Sequence, residues 1–563
     1  MRKILFLLGI SLHCIGLAQS KYPTNYFTPP LEVPLILSGT FGELRSNHFH
    51  SGLDIKTQQR TGLSVHASAE GYVSRIKISH WGYGKALYIT HPNGYTTVYG
   101  HLKKFSPTIE AYIKKQQYAK KTYELELFPA ATDLVVEKQE IVAYSGNSGS
   151  SGGPHLHFEI RDRNARPMNA MLFGIDIADA KVPEIRAGLV YSFGDSSHVN
   201  ASNSLKTLSF KRNAKGQLLA TPIEAYGTIG FGVNTIDKQD GALNNNGIYS
   251  LTMEVNGAKV FERTVDLFSF SETRYINTLI DYARNYYKKQ RVQRCFVTPA
   301  NKLSIYKDLV NDGYLTVEDG MSYTVKITAL DFKGNSTELI VPVTGKKSTN
   351  IKRTEPKTSP NFFKRNSFNT LSDSTVSVAF PSGSFYEDLY FDFEVKNNNV
   401  KLHNPSVALH KNFTLTFDIS GYPKKGRDKM YIARVGTNGS LSYVTTKRKP
   451  NKLYANSRDL GTYTLAVDTV PPVVTPVNFK KNQWLSKYRY LKVRIGDAAS
   501  GIKSYSGEID GKWVLFEYDP KQRLLVFDFD DIELPGTKHI LKLVVKDNLD
   551  NTNTYIAPFN KKD

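Results

Sequence analysis

The chain holds only two cysteines in 563 residues, Cys14 and Cys295. Cys14 lies in an N-terminal apolar run expected to be removed, so Cys295 has no partner and no intramolecular disulfide is available. Nothing around Gln293-Arg294-Cys295-Phe296-Val297 would activate a thiol, which leaves Cys295 as a small buried hydrophobe. Long apolar runs are also missing. Only Ile4-Leu5-Phe6-Leu7-Leu8 stands out, and it is short for a membrane span. With Met1-Arg2-Lys3 before it and Gly16-Leu17-Ala18 after it, this stretch has the pattern of a secretory signal peptide cut after Ala18. The expectation is an exported protein, periplasmic, envelope-associated or secreted, with no transmembrane span after cleavage. Acidic residues are scarce, 52 against 73 Lys and Arg, a net charge of +21. Such a balance favours polyanions. For an exported chain these would be anionic envelope polymers or envelope proteins with acidic surfaces, not nucleic acid. A basic surface that only solubilises a β-rich fold accounts for the charge equally well.

What is present reads mainly as short strands broken by Gly, Asn and Asp. Tyr72 to Ile78, Ala86 to Ile89 and Thr96 to Tyr99, with turns at Gly82-Tyr83-Gly84 and Pro92-Asn93-Gly94, form an antiparallel meander. Pro107 to about Leu127 breaks this pattern. Glu110, Lys114, Gln117 and Lys121 recur there at helical spacing, a helical insertion before the sheet resumes at Ile141. Farther on the chain repeats itself. Gly247-Ile-Tyr-Ser to Glu254-Val-Asn-Gly257 matches Gly501-Ile-Lys-Ser to Glu508-Ile-Asp-Gly511, each after an acidic turn (Asp237, Asp497). Each copy is followed by Asp-x-x-(Gly/Asp)-Asn, at Asp331 to Asn335 and Asp547 to Asn551, and starts beyond Pro183 or Pro472. Two related β-sandwich modules are expected. The first would carry a helix behind Ser271 as N-cap, with Tyr275, Leu279, Tyr282 and Tyr286 on one face. Short strands from about Val376 to Val467 form a third β unit behind a basic linker.

The chemistry concentrates in His50-Ser-Gly-Leu-Asp54 and His155-Leu-His157. On extended strands residues two or four apart share a face, so each pair presents both side chains on one side. Spacing alone offers four N/O ligands for one divalent metal; three of them with an open position would make a catalytic site, all four a closed one. No His-Glu-x-x-His helix is present to supply a glutamate base. Tyr99-Gly100-His101-Leu102 lies between the two segments, and a glycine-rich stretch from Ser145 to Gly153 precedes Pro154-His155-Leu156-His157-Phe158-Glu159. His48 shares a face with His50 as a substitute ligand. Glu159 continues the face of His157 and would act through a hydrogen bond. Arg45 would bind a substrate carboxylate or form a structural ion pair. His66, His80 and His91 read as turn or surface residues. The glycines at 146, 149, 152 and 153 either let the backbone approach a ligand or only loosen a loop.

These ordered motifs, over roughly residues 35 to 170, resemble the lysostaphin/LytM-type zinc peptidoglycan endopeptidases. The resemblance implies one Zn²⁺ held by His50, Asp54 and His157, with His101 and His155 left for catalysis. His155 would then act as general base, and His101 would position water and stabilise the oxyanion. The insertion between His101 and Ile141 departs from the compact family pattern. The fold class expected is mainly β: an antiparallel LytM-type peptidase sheet with a helical insertion, then about three β-sandwich (Ig-like) domains. The division would be signal peptide 1–18, metallopeptidase 19–180, Ig-like module 181–345, basic linker 346–365, β-sandwich-like domain 366–467 and Ig-like module 468–563. The function implied is an exported metalloendopeptidase acting on peptidoglycan stem peptides or cross-bridges. The alternative is a non-catalytic LytM-type activator or scaffold for other wall hydrolases.

Overall fold

The computed structural model describes residues 22–355 and 357–562; the expected signal peptide and Cys14 lie outside the described residues. The chain is mainly β. Its first sheet contains β1 (Leu37–Gly39), β2 (Leu53–Lys56), β3 (Gly71–Ile78), β4 (Lys85–Thr90), β5 (Thr96–Gly100), β6 (Leu125–Leu127) and β7 (His155–Arg161). Their spatial order is β1-β2-β7-β5-β4-β3-β6. The expected meander is β3-β4-β5, and β7 enters between β5 and β2. Leu53, Ile55, Val73, Ile76, Leu87, Tyr99, Leu156 and Phe158 bury the apolar face of this sheet. Ala86, Tyr88 and Val98 are buried in a second cluster, so the central strands are covered on both faces.

The insertion is helical only in its first part. Helix α1 (Pro107–Lys120) starts on a proline in its first turn and ends at Lys121 in the left-handed region (φ 50°), after which Leu125–Leu127 returns to the sheet as β6. The helical reading out to Leu127 overran because Lys121 to Glu124 carry no helix breaker. The stretch behind Ser271 also differs from expectation. It is three short helical turns, Thr273–Tyr275, Ile276–Leu279 and Tyr282–Lys288, interrupted at Ile280. Ser271 caps none of them. The N-cap side chain is Asp281, which accepts from Arg284 N at 3.0 Å.

Beyond residue 183 strands dominate the regular structure. Strands β8 (Glu184–Val199), β9 (Ile223–Ile236), β10 (Ser250–Val255), β11 (Ser322–Leu330) and β12 (Ser336–Gly345) belong to one continuous twelve-stranded sheet. It is not two separate sheets, because the long β9 pairs along β8 and also joins β12 in parallel. A single apolar cluster, including Phe231, Leu251, Phe261, Ile327 and Val341, fills it. Residues 361–467 form two five-stranded sheets around Phe380, Phe391, Phe413 and Tyr463. Residues 473–560 form two four-stranded sheets around Val493, Phe527, Leu543 and Phe559. The repeated Asn256-Gly257 and Asp510-Gly511 both turn with positive φ (50°/83° and 50°/77°), as a tight two-residue hairpin requires. Cys295 is buried in the core of the twelve-stranded sheet, and its surroundings push the thiol up to about 12 through burial. No helix among the described residues is long and apolar enough to cross a membrane.

The last module folds back onto the first sheet. Lys85 pairs with Glu517 at 2.9 Å, Lys114 of α1 pairs with Asp531, and Lys521 Nζ donates to the Ser151 carbonyl at 3.0 Å. Burial opposes the Lys85 charge, but the Glu517 carboxylate overcomes it and holds the ammonium above its ordinary range. His80 is half-buried in this contact, stacked on Tyr123 and 3.3 Å from Tyr505 OH.

Candidate metal and catalytic site

His157 stands directly opposite Asp54 across the β7–β2 ladder and opposite Gly100 across β7–β5. This register puts the end of β5, hence His101, beside both motifs. His50 does not lie on the strand with Asp54, as simple alternation implied. β2 begins only at Leu53, and Ser51-Gly52 carries the chain over β7. A Cβ on Gly52 would stand 2.3 Å from the Phe158 carbonyl, so only glycine permits that approach. The result still brings the side chains together. His50 Nε2, Asp54 Oδ1 and His157 Nδ1 lie 2.9–3.2 Å from one another, all three residues buried.

The other ring nitrogens are committed. His50 Nδ1 donates to the Thr40 carbonyl at 2.8 Å, and His157 Nε2 donates to Glu159 Oε1 at 2.8 Å. Each bond leaves the other ring nitrogen facing the shared centre, able to bind a metal once it carries no proton. Glu159 is fully buried and accepts also from Ser51 Oγ (2.8 Å), Tyr83 OH and Arg161 Nε (2.6 Å). Burial works against its charge, but Arg161 and His157 hold its carboxyl far below the usual range. Two imidazole nitrogens and one carboxylate oxygen, each fixed from behind, form a donor set that fits Zn²⁺. Replacing Glu159 by glutamine should weaken zinc affinity about 10–100-fold, as read by competition with a chelator.

His155 and His101 complete the cluster, with ring centroids 4.7 Å apart. His155 Nδ1 donates to the Gly153 carbonyl at 2.9 Å, and its Nε2 lies 3.4 Å from Asp54 Oδ1. His101 has left-handed backbone (φ 58°), and its Nδ1 donates to the Ser148 carbonyl at 2.8 Å. Burial first, then the His157 and His155 rings, pull His101 down to about 3. The ring is therefore neutral and offers an acceptor, not a donor, at Nε2. Oxyanion stabilisation by His101 thus requires that it first take up a proton. His157 shifts the other way. Burial opposes its charge, but bonds to Asp54 and Glu159 raise it to about 9.

These shifts set a pH signature. An unfolded histidine titrates near 6.5. The stabilisation from His157 is complete below that value and is lost as the pH rises through about 9. His101 has the opposite sign: stability falls as the pH drops below about 6.5, towards 3. Zinc must displace the Nδ1 proton of His157, so loading chelator-stripped protein at pH 7 should release about one proton. Calorimetry in buffers of different ionisation enthalpy measures it.

Other sequence expectations resolve individually. His48 is exposed, bonds the Ser46 carbonyl and does not join the cluster. Arg45 is a structural partner of Glu43 and Asp54, both at 3.3 Å. His66 is a buried strand residue, not a turn or surface one, and bonds the Gln139 carbonyl; His91 does open the Pro92-Asn93-Gly94 turn, but its side chain is buried and bonds the Glu70 carbonyl and Thr97 Oγ1. Gly146 and Gly149 press on the backbones of residues 101–103 and 82–84, whereas Gly152 and Gly153 face open space. Thr40, Ser51, Tyr83 and Arg161 were missed. Arg161 had a signal, since it continues the every-second-residue face of 155, 157 and 159. Tyr83 had none, because it arrives from the turn between β3 and β4.

Residues 48–122 match the family model of Peptidase family M23, and residues 360–468 match that of the Zu5-like domain. The chain is 32% identical over 126 residues to a DD-carboxypeptidase/endopeptidase, Mpg, of Neisseria meningitidis serogroup B, covering 22% of this chain and 23% of that protein. It is 28% identical over 154 residues to the peptidoglycan DD-endopeptidase ShyB of Vibrio cholerae, covering 27% and 30%. It thus spans under a third of the length of these curated relatives. Among solved structures, the catalytic domain of lysostaphin from Staphylococcus simulans aligns at 20% identity and a TM-score of 0.19, covering 25% of this chain and 91% of that one. With the motifs and sheet described above, the chain carries a Peptidase family M23 domain of the LytM/lysostaphin type, followed by β modules that include a Zu5-like domain.

Proposed function

We propose that the protein is an exported zinc metalloendopeptidase that hydrolyses peptide bonds in peptidoglycan. The observation that carries this reading is one geometric fact. Three donor atoms converge within 3.2 Å, and two further imidazoles stand beside them with their Nε2 atoms free of internal donors. A non-catalytic activator of wall hydrolases has no need of that arrangement. The names of the relatives favour DD-type cross-links, bonds between D-configured residues, as the substrate.

His50, Asp54 and His157 would hold the metal. When bound, zinc acidifies a water molecule and polarises the scissile carbonyl. His155, its tautomer fixed by Gly153, presents the Nε2 lone pair that takes the proton from the attacking water. His101, fixed by Ser148 and kept neutral by burial, accepts a hydrogen bond and orients that water; once protonated, either ring can donate to the oxyanion or the leaving amine. Tyr83 and Ser51 keep Glu159 in place and so hold the ring of His157 against rotation. The last module borders a cavity of about 430 Å³ beside the glycine-rich loop, lined by His80, Lys85, Lys103, Ser148, Glu517 and Lys521. In our reading this is the flank of the substrate groove.

The test is incubation of the purified chain with peptidoglycan, with and without chelator, followed by amine release and mass spectrometry of the products. Chelator-sensitive release of new amines is expected. His50→Ala should lower metal affinity by more than about 100-fold and abolish release with it. Wild-type protein that binds no zinc and releases no amines would leave the activator as the better reading.

A further inference from the structure

The two copies of the internal repeat carry the same acidic cluster. In the first, Asp179, Asp237 and Asp331 bring carboxylate oxygens within 4.8 Å of one another; in the second, Asp468, Asp497 and Asp547 do the same. The correspondence runs residue by residue. Asp179 and Asp468 each stand four residues before the proline that opens the module, Pro183 or Pro472. Asp237 and Asp497 are the acidic turns that precede Gly247-Ile and Gly501-Ile. Asp331 and Asp547 each accept from an asparagine four residues on: backbone N at 2.8 Å and Nδ2 at 2.7 Å in both copies. That same amide also donates to the carbonyl of the first aspartate, Asn335 to Asp179 at 3.2 Å and Asn551 to Asp468 at 3.0 Å.

Acidic clusters are common without a ligand. Here a second feature, outside the carboxylates, recurs at one equivalent position. The residue before the repeated Gly-Ile is Asn246 in the first copy and Ser500 in the second. Both are almost fully buried, 4% and 2% exposed, and each leaves a polar atom without a protein partner, Asn246 Nδ2 and Ser500 Oγ. Burying such an atom unpaired is unfavourable; two unrelated side chains do so at the same place. Asn246 lines the cavity of about 30 Å³ that Asp179, Asp237 and Asp331 also line, room for a single ion or water. Ser500 is held against its triad by its backbone N, which donates to Asp468 Oδ2 at 3.1 Å. Amide oxygen and nitrogen exchange places on a half-turn. Asn244 Nδ2 now donates to Asn246 Oδ1, and Asn244 Oδ1 is itself unpaired. Turning both amides keeps their mutual bond and directs Asn246 Oδ1 where Nδ2 now points.

Among the described residues no side-chain cation forms an ion pair with either triad. Neighbouring lysines are engaged elsewhere: Lys238 with Glu184, Lys333 with Asp176 and Lys503 with Asp550, while Lys181 Nζ donates to the Gln239 carbonyl and acts on Asp179 only through its charge. We propose that each repeat is a Ca²⁺ site, Asp179-Asp237-Asp331 with Asn246 and Asp468-Asp497-Asp547 with Ser500. An all-oxygen set of three carboxylates and one amide or hydroxyl oxygen suits a hard cation. Ca²⁺ accepts varied all-oxygen geometries at Ca–O distances of about 2.3–2.6 Å, whereas Mg²⁺ demands a near-ideal octahedron and keeps several waters, for which the small cavity of the first copy leaves little room. Each site joins the segment that enters a module to the ends of two of its strands. Ca²⁺ would thus stiffen the junction after the peptidase domain and the one after the Zu5-like span.

Equilibrium dialysis of the purified full chain against calcium chloride tests this, with affinities on the order of 10⁻⁴–10⁻³ M expected of an exported module. The wild type should bind two Ca²⁺, Asp237→Asn and Asp497→Asn one each, and the double variant none. His50→Ala should still bind two, which separates these sites from the zinc centre. Magnesium chloride at about tenfold excess should not displace them. The wild type alone provides a second measurement that needs no variant: saturating Ca²⁺, but not Mg²⁺, should raise Tm by roughly 5 °C and slow proteolysis between residues 174–183 and 468–472. No binding by the wild type at about 5 mM Ca²⁺, or two ions still bound by the double variant, would overturn the proposal. An unchanged Tm with Ca²⁺ would count against it equally.

Discussion

His155→Ala is expected to keep its zinc and to lose about 10²–10⁴ in kcat on peptidoglycan fragments. Its ring is anchored by the Gly153 carbonyl, outside the triangle of His50 Nε2, Asp54 Oδ1 and His157 Nδ1, so truncation leaves those three atoms in place. What disappears is the Nε2 lone pair 3.4 Å from Asp54, the one we assign to the attacking water. Zinc content and the pH profile of kcat, measured together, check this. His101→Ala should cost a comparable factor with metal retained. Because His101 stays neutral down to about pH 3, its removal should leave the acidic limb where it was. Near wild-type turnover in either zinc-loaded variant would remove that histidine from the mechanism.

Replacing Glu159 by leucine should give the largest loss of stability of any single change near the site, about 3–5 kcal/mol. Glu159 lies between His157 and Arg161 with no exposed surface, and Arg161 itself is only 8% exposed. Without the carboxylate, Arg161 keeps its charge in a buried place with only aromatic faces nearby, those of Tyr88 and Phe270 at 5.5 and 4.8 Å. Ser51 Oγ and Tyr83 OH lose their acceptor at the same time. Calorimetry should resolve the peptidase transition from those of the β modules. A double change to Glu159→Leu with Arg161→Leu should recover part of the loss, since removing both charges removes the desolvation penalty. A loss below about 1 kcal/mol in the single variant would show that water or a neighbouring group compensates Arg161.

How far the site was legible depends on sequence distance. His155, His157, Glu159 and Arg161 follow from the two-residue period of one strand, which needs no knowledge of the fold. His50 and Asp54 were paired by the same rule, although the alternation that suggested it is absent. Gly52 lets the chain bend over β7, and that bend brings His50 to the same place. The overrun of α1 and the broken helix behind Ser271 have a common cause. Helical spacing marks which side chains share a face but not where backbone hydrogen bonding stops. That was decided by Lys121 in the left-handed region and by Ile280 entering an extended conformation. His66 was misjudged because a histidine at a strand end is buried or exposed according to what packs over it.

By itself the sequence determined the candidate ligand types, the shared face of His155 and His157, and the order in which they come. It also determined the duplicated module, because repeats and strand periods are local properties of the chain. Only the tertiary structure decided that Asp54 faces His157, that Tyr83 reaches Glu159, and that Lys521 of the last module touches the loop before His155. It likewise gathered Asp179, Asp237 and Asp331, and their counterparts in the second copy, from separate segments. Such meetings depend on strand register and on how modules close on one another. Both are set by burial of apolar faces across the whole fold, a quantity that no short window of residues contains.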